Sequence, residues 1–163
     1  MSQRTDIFDL GRLGLHSGEG RRIDTQVSVD PLEFGGQRYE SDEASVPVRV
    51  DVSRTVGGYA LRLRLQVHLH GPCMRCLEPA APVLDVDVRE VDQPDEEGGD
   101  ELDLRAWVHD ALALTLPAQI VCREDCLGLC PVCGENLNEA GPEHAHEQAP
   151  DPRWAKLREL RFE

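Results

Sequence analysis

The chain has 163 residues, a formal net charge of −14, six cysteines and only 4% aromatic residues. That length suits one main domain with modest appendages, and a core built mainly from Val, Leu and Ala buries less area per side chain than an aromatic one, so it calls for a staple. The acidity opposes non-specific attachment to phosphate backbones, and no stretch approaches the roughly 20 apolar residues of a membrane span.

Residues 1–20 are Gly-rich and without period, and read as an irregular N-terminal arm. Arg4, Asp6, Asp9 and Arg12 leave no apolar run for a signal peptide, and Gly11-Arg12-Leu13-Gly14 lacks the Lys-Ser/Thr ending of a phosphate loop. A cytoplasmic, reducing setting is expected, where clustered cysteines are more often metal ligands or redox thiols than disulfides.

An α+β core is expected over 21–121. Ile23, Thr25, Val27 and Val29 predict a strand over 22–29, ended by Pro31. Val46, Val48, Val50 and Val52 alternate with Pro47, Arg49 and Asp51, a half-buried strand that Pro47 confines to a sheet edge or a strand start. Gly57-Gly58 supplies a tight turn. Over 59–70, Tyr59, Leu61, Leu63, Leu65, Val67 and Leu69 face one way, and Arg62, Arg64, Gln66, His68 and His70 the other. A further strand over 83–91 turns Leu84, Val86 and Val88 inward, giving an antiparallel β-meander.

Ten carboxylates lie between Asp85 and Asp103 against the single Arg89, so 92–101 is expected to be a mobile acidic loop, either a solvated linker or a lure for a basic partner. Asp103 then caps a helix with Leu104, Trp107, Val108, Ala111, Leu112 and Leu114 on its apolar side, stopped by Pro117. One helix thus covers the meander. Residues 122–163 read as a zinc-binding tail, ending in a short C-terminal helix that starts at Asp151-Pro152 and packs Trp154, Leu157 and Leu160 on the core.

The chemistry lies in the cysteine spacing. Cys73-x2-Cys76 stands apart from Cys122-x3-Cys126-x3-Cys130-x2-Cys133, which His144-x-His146 follows. Zinc takes four such ligands in a tetrahedron, so the eight residues match two closed structural sites. The local grouping joins Cys130, Cys133, His144 and His146 on one ion, and Cys73, Cys76, Cys122 and Cys126 on the other. A ribbon-like grouping of Cys73, Cys76, Cys130 and Cys133 around one ion is the alternative. Four strong ligands leave no place for a reactive water, and no nucleophile with a base can be named, so no catalytic residue is expected. A cytosolic thiol-disulfide protein using Cys73 and Cys76 remains a competing reading, as does a direct RNA-binding zinc-knuckle protein.

Cys73-Met74-Arg75-Cys76-Leu77, Leu116-Pro117, the run from Cys122 to Leu137 and Asp151-Pro152-Arg153-Trp154-x2-Leu157 together resemble the bacterial YceD family of large ribosomal RNA subunit accumulation proteins. The likeness begins near Ile23; many relatives carry Cys-x-Cys where this chain has His144-Ala145-His146. It implies a non-enzymatic role in the synthesis, processing or accumulation of large-subunit ribosomal RNA and in large ribosomal subunit assembly. With its acidity, the chain is better suited to a basic ribosomal protein or an rRNA-processing factor than to naked RNA, although Arg62 and Arg64 could form a small RNA-contacting patch.

Overall fold

The computed structural model describes residues 6–92, 100–141 and 143–146, and the chain divides into two compact units, Met1–Cys126 and Leu127–Glu163. In the first unit the period-two stretches form the centre of an antiparallel sheet. β1 (Ile7–Asp9) and a 3-10 turn (Leu10–Leu13) precede β2 (Gly20–Val27), β3 (Leu32–Phe34), β4 (Gln37–Ser41), β5 (Val46–Arg54), β6 (Tyr59–Pro72), β7 (Pro79–Ala80), β8 (Val83–Asp92), β9 (Glu101–Asp103) and the helix α1 (Leu104–Thr115).

The register shows why the alternation is stable. Val50 faces Leu63, which faces Val88, and Val48 faces Leu65, which faces Val86, so apolar rows run across three strands on one side. Nearly every member of these rows is buried, Leu63 completely. The opposite side carries a ladder of ion pairs: Arg49 with Asp24 at 2.8 Å, Arg62 with Asp87 at 2.7 Å, and Asp51 held between Arg22 and Arg64.

The sheet is more than a meander. β5, β6 and β8 follow one another as expected, but β2 pairs with β5 across an inserted β3–β4 hairpin, and β4 then joins β6 beyond the end of β5. The hairpin escapes a periodicity search because β3 has only three residues; Gly35 and Gly36, at φ 59° and 76°, make its turn.

Within the arm expected to be irregular, β1 pairs with β9, and Leu10 is only 1% exposed. These contacts span almost the whole first unit, and no local pattern announces them. The strand expected over 22–29 is β2, which runs from Gly20 and ends at Val27 rather than residue 29, ahead of Pro31.

Asp103 caps α1 as its sequence predicts, its side chain accepting from the Ala106 N–H at 3.0 Å. Leu104, Trp107, Val108, Ala111 and Leu112 are buried, whereas Leu114 is 85% exposed. At about 100° per residue, Leu114 falls on the flank of the stripe, and this expectation is corrected. α1 packs on β8. Among the described residues no helix is long and apolar enough to cross a membrane. The middle of the acidic loop and the terminal helix from Asp151 lie outside the described residues.

Candidate metal centres

Two turns of one design present the cysteine pairs. The first follows β6, where Cys73 N–H donates to the Glu78 carbonyl at 2.7 Å and Leu77 N–H donates back to the Cys73 carbonyl at 3.0 Å. In the second unit, Cys130 N–H donates to the Glu135 carbonyl at 2.8 Å, and Gly134 N–H to the Cys130 carbonyl at 2.9 Å. The bonding offsets are identical. Both turns need a left-handed residue after the second cysteine: Gly134 at φ 78° in one, Leu77 at φ 65° in the other. Such a turn directs backbone N–H groups toward sulfur, as Arg75 N–H does to Cys73 Sγ at 3.4 Å.

The first turn is completed by residues beyond α1. Pro117 ends the helix, and the segment after it returns to the knuckle, where Met74 N–H donates to the Ile120 carbonyl at 2.8 Å and Ile120 N–H reaches Met74 Sδ at 3.3 Å. Cys122 and Cys126 then face the pair: Cys76 Sγ lies 3.6 Å from Cys122 Sγ, and Cys73 Sγ 3.9 Å from Cys126 Sγ. The four sulfurs lie within 4.8 Å of one another, and all but Cys122 are buried. That packing suits a tetrahedron of thiolates around one ion with bonds of about 2.3 Å.

In the second unit, Cys130, Cys133, His144 and His146 form a corresponding group, again within 4.8 Å. Cys133 Sγ is 3.5 Å from His144 Nε2 and 3.3 Å from His146 Nε2. Glu135, which the sequence did not single out, lies 3.2 Å from His144 Nδ1. A carboxylate there holds the proton on Nδ1 and turns the Nε2 lone pair toward the sulfurs, the usual support for an imidazole ligand.

Electrostatics favours thiolate at the first cysteine of each turn. Burial alone would push the Cys73 thiol up, but backbone N–H groups of Cys76, Arg75 and Cys122 outweigh it and bring it to about 6. The Cys133 backbone N–H and then His144 bring Cys130 to about 6. Burial carries Cys76 in the other direction, to about 12.

All eight residues singled out from the sequence therefore fall into two groups that could hold metal ions, and of the two groupings weighed, the structure forms the local one. The other histidines sit elsewhere: His70 Nδ1 contacts Asp42 at 2.7 Å, and His109 lies beside Asp110. A shallow depression of about 610 Å³ on the polar face of the sheet contains neither group; its Asp24, Arg49, Arg64 and Asp87 are engaged in the ion-pair ladder.

Comparison with known proteins bears on what these groups serve. The family model described as "Large ribosomal RNA subunit accumulation protein YceD" matches residues 61–161. The chain belongs to this family. All eight donors fall inside the YceD match, as do α1, both knuckles and all of β6 but its first two residues. Uncharacterized proteins of Mycobacterium bovis and Mycobacterium tuberculosis are each 33% identical over 93% of this chain and 79% of their own length. Another, from Mycobacterium leprae, is 42% identical over 36% of this chain and 26% of its own length. No solved structure matches the chain significantly. Membership places the protein in a family named for accumulation of large-subunit ribosomal RNA.

Proposed function

We propose that this chain is a non-enzymatic cytoplasmic factor in the synthesis, processing or accumulation of large-subunit ribosomal RNA and in assembly of the large ribosomal subunit. It acts through contacts with a basic ribosomal protein or an rRNA-processing factor, alone or within a ribonucleoprotein. Two structural zinc ions hold its knuckles. The observation that carries this reading is the YceD match over residues 61–161, which spans most of the central strand, the helix and every metal-donor candidate.

The donor chemistry supports zinc: thiolate and imidazole in fours suit this cation, and a filled tetrahedron has no coordination position for a reacting water. The net charge of −14 favours basic partners. Arg62 and Arg64, the candidate RNA patch, are instead engaged with Asp87 and Asp51, which lowers the positive potential they offer to phosphate. Depletion of the protein is expected to lower mature large-subunit RNA relative to small-subunit RNA, read by quantifying both and by subunit profiles on a density gradient. Unchanged profiles would overturn the assembly role.

One observation favours the thiol-disulfide reading, since a lowered Cys73 beside a raised Cys76 is the asymmetry of a redox pair. Access argues against it: Cys73 is 0% and Cys76 3% exposed, so an attacking thiol cannot reach either sulfur. Stoichiometric zinc on these four thiols supports the structural reading, whereas a Cys73–Cys76 disulfide that cycles readily with a reductant supports the redox one.

A further inference from the structure

The two donor groups share a knuckle but differ in how the protein supports them. The four-thiolate group is sunk in a unit with its own core, where Leu63, Leu69, Val108 and Leu112 are fully buried. Its pairs arrive from two places held by regular structure, the end of β6 and the segment after α1, and Cys122 lies 46 positions beyond Cys76. Regular structure on both sides thus positions these four sulfurs within 4.8 Å of one another.

The described residues give the Cys130, Cys133, His144 and His146 group no such support. Among the described residues of the second unit, only Gly128 and Cys130 are buried, and Val132 and Leu127 are more than half exposed. The helix among these described residues, α2 (Leu137–Ala140), is a single turn with no buried residue. The described residues otherwise contribute the knuckle, the Leu129–Asn136 bridge and bonds such as Leu137 N–H to the Gly128 carbonyl at 2.9 Å. A segment of under about 40 residues usually takes its folding energy from a metal or a disulfide, and the described residues of this unit form no apolar core. No disulfide is available, since Cys130 and Cys133 are both free.

Access and charge point the same way. Cys133 and His146 are exposed, whereas three of the four sulfurs in the first group are buried. A competing chelator can therefore attack the second group directly. Two of its donors are neutral imidazoles, which attract a dication less than thiolates do.

Resting on the zinc reading above, we propose that the ion of Cys130, Cys133, His144 and His146 is exchangeable and that its binding folds the second unit, while the four-thiolate ion is a permanent staple of the first. The second unit then responds to zinc supply, and the surface it offers a partner exists only when the ion is present.

The test uses the full chain loaded with two equivalents of zinc and challenged with EDTA, with metal stoichiometry followed by native mass spectrometry and backbone protection by hydrogen exchange. One ion should leave at least tenfold faster than the other. Its loss should expose the Cys130, Gly134 and Leu137 amides while those of β6 stay protected, and added zinc should restore them. Cys133→Ser should retain only the slow ion, and His146→Cys should slow the fast release at least tenfold. Loss of both ions at one rate, or second-unit amides that stay protected after the fast ion has gone, would overturn the proposal while leaving two-site zinc intact. A chain that takes up no stoichiometric zinc would sink the zinc reading and this proposal together.

Discussion

Leu77 and Gly134 occupy the same place in two knuckles of the same bonding pattern, yet only one is glycine. A left-handed conformation costs a non-glycine residue about 1–2 kcal/mol, and Leu77 is 56% exposed, so little packing offsets that cost. Leu77→Gly is expected to leave the zinc-loaded chain as stable as before or more stable by up to about 1 kcal/mol, the relief being partly offset by glycine's freedom in the unfolded chain. Denaturant unfolding measures this; a loss of about 2 kcal/mol would mean that the leucine side chain packs more than its exposure implies. The cysteines themselves were legible from spacing. Leu77's strain and Glu135's hold on His144 were not, because a backbone angle and a through-space contact leave no mark on residue order.

At the scale of elements, β6 is the organiser. Its 14 residues pair with β4, β5, β7 and β8, and its end delivers the first knuckle. Tyr39 of β4 is fully buried against that end, its hydroxyl donating to the Pro72 carbonyl at 2.9 Å. Gly71 makes room for it: a Cβ there would overlap the Tyr39 ring and lie 2.8 Å from the Arg38 carbonyl. Gly71→Ala is therefore expected to destabilise the first unit by about 1–3 kcal/mol, the usual range for overpacking. It should also speed zinc loss from the four-thiolate group, since the knuckle begins two residues later. Unfolding and chelator-release measurements check both effects; unaltered values would show that the Tyr39 ring can shift at little cost. The long period-two run of β6 was plain in the sequence, but its steric dependence on Tyr39 was not, because the two meet only when β4 pairs with β6.

For the whole molecule, charge sets the response to acid. Hydrogen bonds from Arg22, and then from Arg64, hold the Asp51 carboxyl below its ordinary value of 3.8, and Arg62 and Arg105 do the same for Asp87 and Asp30. A carboxyl depressed in the folded state adds stability above its unfolded pKa, and that stability fades as the pH falls through the lower folded value. These pairs are partly open to water, so each contribution is modest. Asp51→Asn should be less stable than the parent near neutral pH, and the difference should shrink toward zero as the pH drops below about 3.8, where the parent also loses its charge. Urea midpoints across that range test it; a difference independent of pH would assign the effect to packing instead of charge.

Taken alone, the sequence determined the features that neighbouring residues decide among themselves. The alternation from Tyr59 to His70, the Asp103 cap with its apolar stripe, and the paired cysteines each follow from a short repeat or spacing, and a strand, a helix or a knuckle needs no more. Tertiary structure decided which donors lie together, because Cys76 and Cys122 meet only after the chain has run through β8 and α1 and returned. It likewise decided the β1–β9 pairing and the place of the β3–β4 hairpin, where short strands gain their hydrogen bonds from distant partners. The physical reason is common to all three: local geometry is set by torsions and side-chain period, whereas distant groups come together only when burial of the intervening residues repays the entropy of closing the loop between them.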